Sequence, residues 1–277
     1  MAEISKFYEY KNIYTEMPPE LNKYVGYTAK IIHNYNNNNK YIAPIKKKHQ
    51  PLVKNEDKLM ANYRSILNKL SDNNIELLTN EIILLKIDTK EKMQKLIDCI
   101  FNKAINDSKF RKNYAIMCKL LSGLSVLDND KKILFIELLL NRAQYMFNEA
   151  INISEDLDKS NNFDNLVSSN KIYKFKEQVT GCVEFIGYLY LNDLITIKIL
   201  QACFMLIFDR INQKKLYTVD NLAVLFKIVS DKLHKISIDA YTYLFGRIQK
   251  LKDNNDLIGL KERFMLMDLI DYLEKKY

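Results

Sequence analysis

Apolar residues recur every three or four positions through most of the chain after residue 55, a spacing typical of half-buried α-helices. One row of this kind consists of Met93, Leu96, Ile97, Ile100, Phe101, Ala104 and Ile105. Asp88 is expected to cap that helix, and Glu91 stands where a capping box would be completed. A second row predicts the core face of the last helix and contains Leu257, Leu260, Phe264, Met267, Ile270 and Leu273.

The same pattern predicts ten helices with short connections. Their predicted ranges are 56–70, 73–86, 89–107, 109–124, 129–150, 171–190, 193–211, 219–233, 236–252 and 256–275. The polar stretch 152–168 is the one long loop. Because short connections make successive helices antiparallel, we predict an all-α fold, an α-solenoid of five stacked helix pairs that occupies residues 54–277.

The N-terminal segment has a different composition. All four prolines lie within the first 51 residues, and positions 36–39 are four consecutive asparagines. Proline interrupts helices and central strands, and a polar tract of this kind adds nothing to a core. Residues 1–53 are therefore predicted to be a largely extended basic arm, in which 20–33 could form one short helix against a partner.

Charge and composition restrict the function classes. The chain carries a net charge of +8, of which +4 lies in residues 1–58. Lys46, Lys47 and Lys48 are expected to attract RNA phosphates, although such a run also suits a solvated linker. No apolar window is long enough for a membrane span, and the N-terminus lacks the apolar segment of a secretory signal. The four cysteines are expected to be buried reduced thiols, which favours a cytoplasmic protein.

No pattern in the sequence predicts catalysis. The six glycines are isolated, so no glycine-rich phosphate-binding loop is present, and the three histidines lack metal-ligand spacing. The acidic pair Asp268 and Asp271 is explained by a solvated helix face. We therefore expect a protein that is not an enzyme and has no cofactor, metal or small-molecule substrate.

Several segments carry a resemblance to a known family. They are Arg64–Leu70, Ile87–Lys92, Phe110–Cys118, Leu138–Gln144, Val183–Tyr190 and Arg263–Leu269. Their order and spacing resemble those of the middle domain of eukaryotic translation initiation factor 4 gamma. That resemblance implies HEAT-like helix pairs that clamp the two lobes of a DEAD-box RNA helicase of the factor 4A class. Most matching positions are apolar, so they indicate the fold more strongly than the function.

The resemblance also implies which residues bind the helicase. They are the polar residues of the matching segments, namely Arg64, Asn68, Lys69, Asp88, Thr89, Glu91, Asn106, Asp107, Lys109, Asn113 and Arg263. Arg263 would face the second lobe, whereas Phe264 is expected in the core. Helix caps and solvent-facing positions would contain the same residue types, and Asp88 and Thr89 in particular could be only a cap.

The arm departs from the family pattern in two places. The family often has a tryptophan before the first helix pair, whereas this chain has none, and Tyr41 or Tyr63 would have to replace it. The family also has a tyrosine–leucine motif that binds the cap-binding factor 4E. Tyr8 with Ile13 and Tyr14 is the candidate match. Tyr27 with Ile32 is another, and neither has the leucine.

The resulting hypothesis is a compact translation initiation scaffold in the cytoplasm, or in the host cytoplasm if the protein is viral. It would bind a factor 4A helicase and link it to factor 4E and to mRNA. The alternatives are a helicase-binding regulator of mRNA decay or splicing and an RNA-binding adaptor without a helicase. The sequence leaves open whether translation is activated or inhibited.

Overall fold

A computed structural model describes the backbone of residues 55–152, 166–214 and 218–277. Within these ranges ten α-helices follow one another, and one short hairpin interrupts them. The helices are α1 (Asn55–Leu67), α2 (Ile75–Ile83), α3 (Lys90–Asn106), α4 (Arg111–Leu121), α5 (Phe135–Asn152), α6 (Leu166–Leu191), α7 (Ile197–Asn212), α8 (Thr218–Ile236), α9 (Ile238–Lys252) and α10 (Leu260–Glu274). The all-α prediction with five successive helix pairs is confirmed. The predicted arm and most of the predicted long loop lie outside the described residues.

The long helix α6 lies at the centre of the stack. It packs against α3, α4 and α5 on one side and α8 on the other. Phe101 of α3 meets Phe185 of α6 edge to face, with ring centroids 5.0 Å apart. The row predicted for α3, from Met93 to Ile105, is buried throughout. The first helix pairs are therefore tied directly to the middle of the protein.

A β-hairpin replaces the start of the helix predicted at 129–150. Strand β1 (Ser125–Asp128) pairs antiparallel with β2 (Lys131–Leu134), and Val126 faces Ile133. Asn129 and Asp130 both have positive φ, 49° and 61°, as a two-residue hairpin turn requires. The helix prediction was wrong here because the apolar pair Ile133–Leu134 fits a strand next to a turn as well as it fits a helix.

The predicted core face of the last helix is wrong for its first half. Leu260, Phe264 and Met267 are 68%, 55% and 39% exposed, and Phe264 is therefore not a core residue. The buried residues of α10 are Leu266, Leu269, Ile270 and Leu273. Apolar residues surround most of this helix, so spacing alone could not identify which side meets α8 and α9.

The four cysteines are free thiols. Cys99, Cys118 and Cys182 are buried, and Cys203 is partly buried. Burial raises the pKa of the Cys182 and Cys203 thiols to about 12, so both are protonated at neutral pH. None of the helices in the described ranges is long and apolar enough to cross a membrane.

Candidate partner-binding surface

The turn between α1 and α2 holds Asn68 and Lys69 in a fixed, exposed position. Asn74 organises it, because its side-chain oxygen accepts a bond from the Ser71 N–H at 2.7 Å and its amide nitrogen donates to the Lys69 carbonyl at 2.8 Å. Both predicted residues point into solvent. A partner would therefore meet them without a large loss of backbone freedom.

Helix α4 holds the α1–α2 turn in place through two hydrogen bonds. The Tyr114 hydroxyl donates to the Leu67 carbonyl at 3.3 Å, and the Asn113 amide donates to the Asp72 carboxylate at 2.7 Å. Asn113 is only 5% exposed. Its side chain is thus engaged in positioning the turn, and we leave it out of the candidate surface.

Arg64 lies in the last turn of α1 and is exposed. Its guanidinium is close to Cys99 of α3. Burial raises the pKa of that thiol, and the nearby positive charge of Arg64 opposes the shift. Arg64 therefore lies where α1 packs against α3. Together with Asn68 and Lys69 it forms one exposed polar surface.

The start of α3 forms a second polar group. Thr89 has extended backbone angles and its hydroxyl accepts the Lys92 N–H at 3.2 Å, so Thr89 is the N-cap. The prediction that Asp88 caps α3 is wrong. The Asp88 carboxylate instead accepts a bond from the Lys92 ammonium at 2.6 Å, and this bond lowers the pKa of Asp88. Glu91 is exposed in the first turn.

A shallow groove of about 500 Å³ lies beside this group, between α1 and the start of α3. Its lining residues are Lys58, Leu59, Asn62, Leu85, Thr89, Glu91, Lys92 and Lys95. The resemblance had singled out only Thr89 and Glu91 among the polar ones. The sequence contained one sign of this groove. Lys58 and Asn62 are four residues apart on α1, and that spacing puts both side chains on one face of the helix.

The turn between α3 and α4 carries the other predicted contacts. Asn106 donates to the Asn102 carbonyl at 2.7 Å and accepts a bond from Gln178 of α6 at 3.3 Å. Asp107 ends α3, and Lys109 lies 5.2 Å from the ring centre of Phe110. Asn106 and Lys109 remain exposed. This turn therefore combines structural bonds with side chains that a partner can reach.

The structure brings these residues together in two groups. The Tyr63 hydroxyl, in the third turn of α1, donates to the Lys92 carbonyl in the first turn of α3, and the end of α1 lies beside the start of α4. One group is Asp88, Thr89 and Glu91. The other is Arg64, Asn68, Lys69, Asn106, Asp107 and Lys109. The 17-residue helix α3 separates Thr89 at its start from Asn106 at its end by about 25 Å.

The remaining predicted residues lie elsewhere. Arg263 is on α10, where its guanidinium donates to the Asn255 side-chain oxygen at 3.1 Å. Tyr63 is fully buried, so it cannot present the ring that a surface tryptophan would. Tyr8, Ile13, Tyr14 and the run Lys46–Lys48 lie outside the described residues. Across the described ranges, no group of three or more potential metal ligands occurs.

Comparisons with known proteins agree with this architecture. The sequence profile of the MIF4G domain family matches residues 61–276. Mouse eukaryotic translation initiation factor 4 gamma 1 is 29% identical over 235 residues, which cover 79% of this chain and 14% of the mouse protein. Eukaryotic translation initiation factor 4G of Cucumis melo is 26% identical over 221 residues, which cover 77% of this chain and 12% of the melon protein.

A solved structure gives independent support for the fold. The crystal structure of the MIF4G domain of Trypanosoma cruzi translation initiation factor EIF4G5 has a TM-score of 0.53 and 18% sequence identity. The match covers 79% of this chain and 96% of that chain. At such low identity the similarity concerns the fold alone. The chain also spans only a small part of the length of the curated relatives.

Proposed function

We propose, because the chain belongs to the MIF4G domain family, that it is a translation initiation scaffold that binds a DEAD-box helicase of the factor 4A class. The observation that carries the proposal is the family match over residues 61–276, together with relatives named as translation initiation factors. Within that frame, the two polar groups, one at the start of α3 and one formed by the end of α1 with the α3–α4 turn, are the best candidate for the grip on the helicase.

A scaffold of this kind acts by differential binding. A ligand that binds one arrangement of a two-lobed protein more tightly shifts the population toward that arrangement and needs no catalytic group. The first helix pairs suit this role because hydrogen bonds from Asn74, Asn113 and Tyr114 fix the α1–α2 turn, which carries Asn68 and Lys69. Arg263, at the far end of the stack, would contact the second lobe.

The proposal extends to further partners. Tyr8, Ile13 and Tyr14 would bind the cap-binding factor 4E as a short helix in a groove, a recurring mode of peptide recognition. Lys46, Lys47 and Lys48 would bind mRNA phosphates through charge. Such a scaffold would work in the cytoplasm.

The direct test measures the ATPase rate of the cognate factor 4A helicase with and without the chain. We expect stimulation, and we expect the double change Arg64→Glu and Lys69→Glu to reduce both stimulation and binding. The matched control is Lys131→Glu with Lys132→Glu, which reverses two exposed charges on the hairpin that are not among the predicted contact residues. Unchanged stimulation by the Arg64 and Lys69 variant would refute the assigned grip.

Affinity capture of the full chain from its native cell tests the wider role. Recovery of a DEAD-box helicase together with a cap-binding factor supports initiation. Recovery of splicing or decay subunits without initiation factors would overturn it. Binding to RNA with no helicase in the captured material would favour a simple RNA adaptor.

A further inference from the structure

The last helix presents an apolar row that no described element covers. Leu260, Phe264 and Met267 follow one another at spacings of four and three residues and so lie on one face of α10. All three are exposed, Phe264 by more than half of its surface. The opposite face, with Leu266, Leu269, Ile270 and Leu273, already packs on α8 and α9. The exposed row is therefore available to another molecule.

Two opposite charges flank the centre of this row. Lys261 and Asp268 are both exposed and lie seven residues apart, nearly two full turns, so they share the face that carries Phe264. Neither forms an ion pair with a described residue. Asp271, also exposed, lies beyond Asp268 on the same face. The charge order along the face is thus basic, aromatic and then acidic, and this order decides which partner fits.

We propose that α10 is a self-association surface on which a second copy of this chain packs its own α10 antiparallel. A twofold axis that passes between positions 264 and 265 brings Lys261 of each copy opposite Asp268 of the other. The same axis places the two Phe264 rings at the centre. A symmetric interface must be self-complementary, and this charge order satisfies that requirement. Parallel packing would set lysine against lysine and aspartate against aspartate, which is repulsive.

The first experiment is sedimentation of the full chain over a concentration series. We expect a monomer–dimer equilibrium that weakens at high salt, because the exposed ion pairs are screened. Phe264→Asp should raise the dimer dissociation constant by about tenfold or more, since it puts a charge at the interface centre. Leu77→Asp is the matched control. Leu77 is an apolar residue on α2 that is about as exposed as Phe264, so this variant should leave the equilibrium unchanged.

A charge exchange tests the antiparallel geometry. Lys261→Glu and Asp268→Lys should each weaken the dimer, because each sets like charges against one another. The double variant restores both pairs and should recover the original affinity. An equimolar mixture of the two single variants should also associate better than either alone. These measurements contain no helicase, so failure here leaves the proposed function untouched.

Either of two results would overturn the proposal. One is a chain that stays monomeric at every concentration. The other is a dimer that Phe264→Asp does not weaken, since that would place the interface elsewhere. Far-UV circular dichroism of each variant confirms that it is folded. A dimer weakened by the single charge variants but not recovered by the double variant would refute the antiparallel pairing.

Discussion

Glycine occurs in two regions of the stack with very different surroundings. At the junction of α3, α4 and α6, a Cβ on Gly181 would collide with the Ile105 carbonyl and approach the Arg111 guanidinium to 2.8 Å. In α9, near the end of the stack, a Cβ on Gly246 would have nothing within 4 Å. The junction therefore requires a glycine, whereas α9 only tolerates one.

The difference extends to the polar groups. At the junction, Arg111 is buried and bonds the Ala104 carbonyl at 2.7 Å, the Ile105 carbonyl at 3.0 Å and the Glu184 carboxylate. At the terminal pair, apolar side chains are exposed and the ion pairs lie on the surface. The first region is thus a rigid base for the candidate helicase grip, and the second is a free face suited to association.

The largest effect is expected at Arg111. Arg111→Met removes the group that satisfies two buried carbonyls at the end of α3 and leaves Glu184 without its partner. Breaking a buried pair in this way should lower the free energy of unfolding by about 3–5 kcal/mol. Urea unfolding followed by circular dichroism measures it. Lys112→Met, at an exposed neighbouring position, should change stability by less than about 0.5 kcal/mol.

Gly181→Ala should give the next largest loss. Two opposing terms act here: alanine favours the helix by about 1 kcal/mol, whereas overpacking against backbone costs about 1–3 kcal/mol or more. We expect a net loss, because the Ile105 carbonyl is held by Arg111 and cannot move aside freely. The same urea experiment measures it. A stabilised Gly181→Ala would show that α3 and α6 can separate slightly.

The sequence predicted the central features better than the terminal ones. The α3 row was identified correctly because only one side of that helix is apolar. The buried face of α10 was not identified correctly. Apolar residues lie around most of this helix, and only its contacts with α8 and α9 determine which face is buried. The hairpin at Asn129–Asp130 had a recognisable signal, two turn-forming residues between Val126 and Ile133. The burial of Asn113 depended on Asp72, a tertiary contact that helical periodicity does not show.

Gly246→Ala should have the opposite sign to Gly181→Ala. Nothing opposes the added methyl group, so the variant gains helix propensity and should be more stable by up to about 1 kcal/mol. Thermal or urea unfolding of both glycine variants side by side checks the contrast. Equal losses at the two positions would mean that the surface of α9 around Gly246 is covered after all.

Replacement of Asp231 should have the smallest effect on the free energy of unfolding, because the interactions of Asp231 lie at the surface of the terminal helix pair. Its carboxylate accepts bonds from the Lys276 ammonium at 2.6 Å and from the Tyr277 hydroxyl, which join the end of α10 to α8. These bonds, that of Lys276 foremost, hold the pKa of Asp231 below its ordinary value of 3.8. A lowered folded-state pKa means that the contribution is complete above the unfolded pKa and is lost as the pH falls through the folded value.

Asp231→Asn should therefore lower the free energy of unfolding at pH 7 by no more than about 1 kcal/mol, because solvent screens an exposed pair. The difference from the unmodified chain should shrink below pH 4 as the wild-type carboxylate takes up its proton. Urea unfolding at several pH values measures both statements. Asp209→Asn, which removes an exposed carboxylate that has no described ion pair, is the control. A stability difference that stays constant down to pH 3 would mean that the Asp231 charge is not what holds the end of α10. Packing of Lys276 and Tyr277 on α8 would then hold it, including the stacking of Tyr277 on His234 with ring centroids 4.1 Å apart.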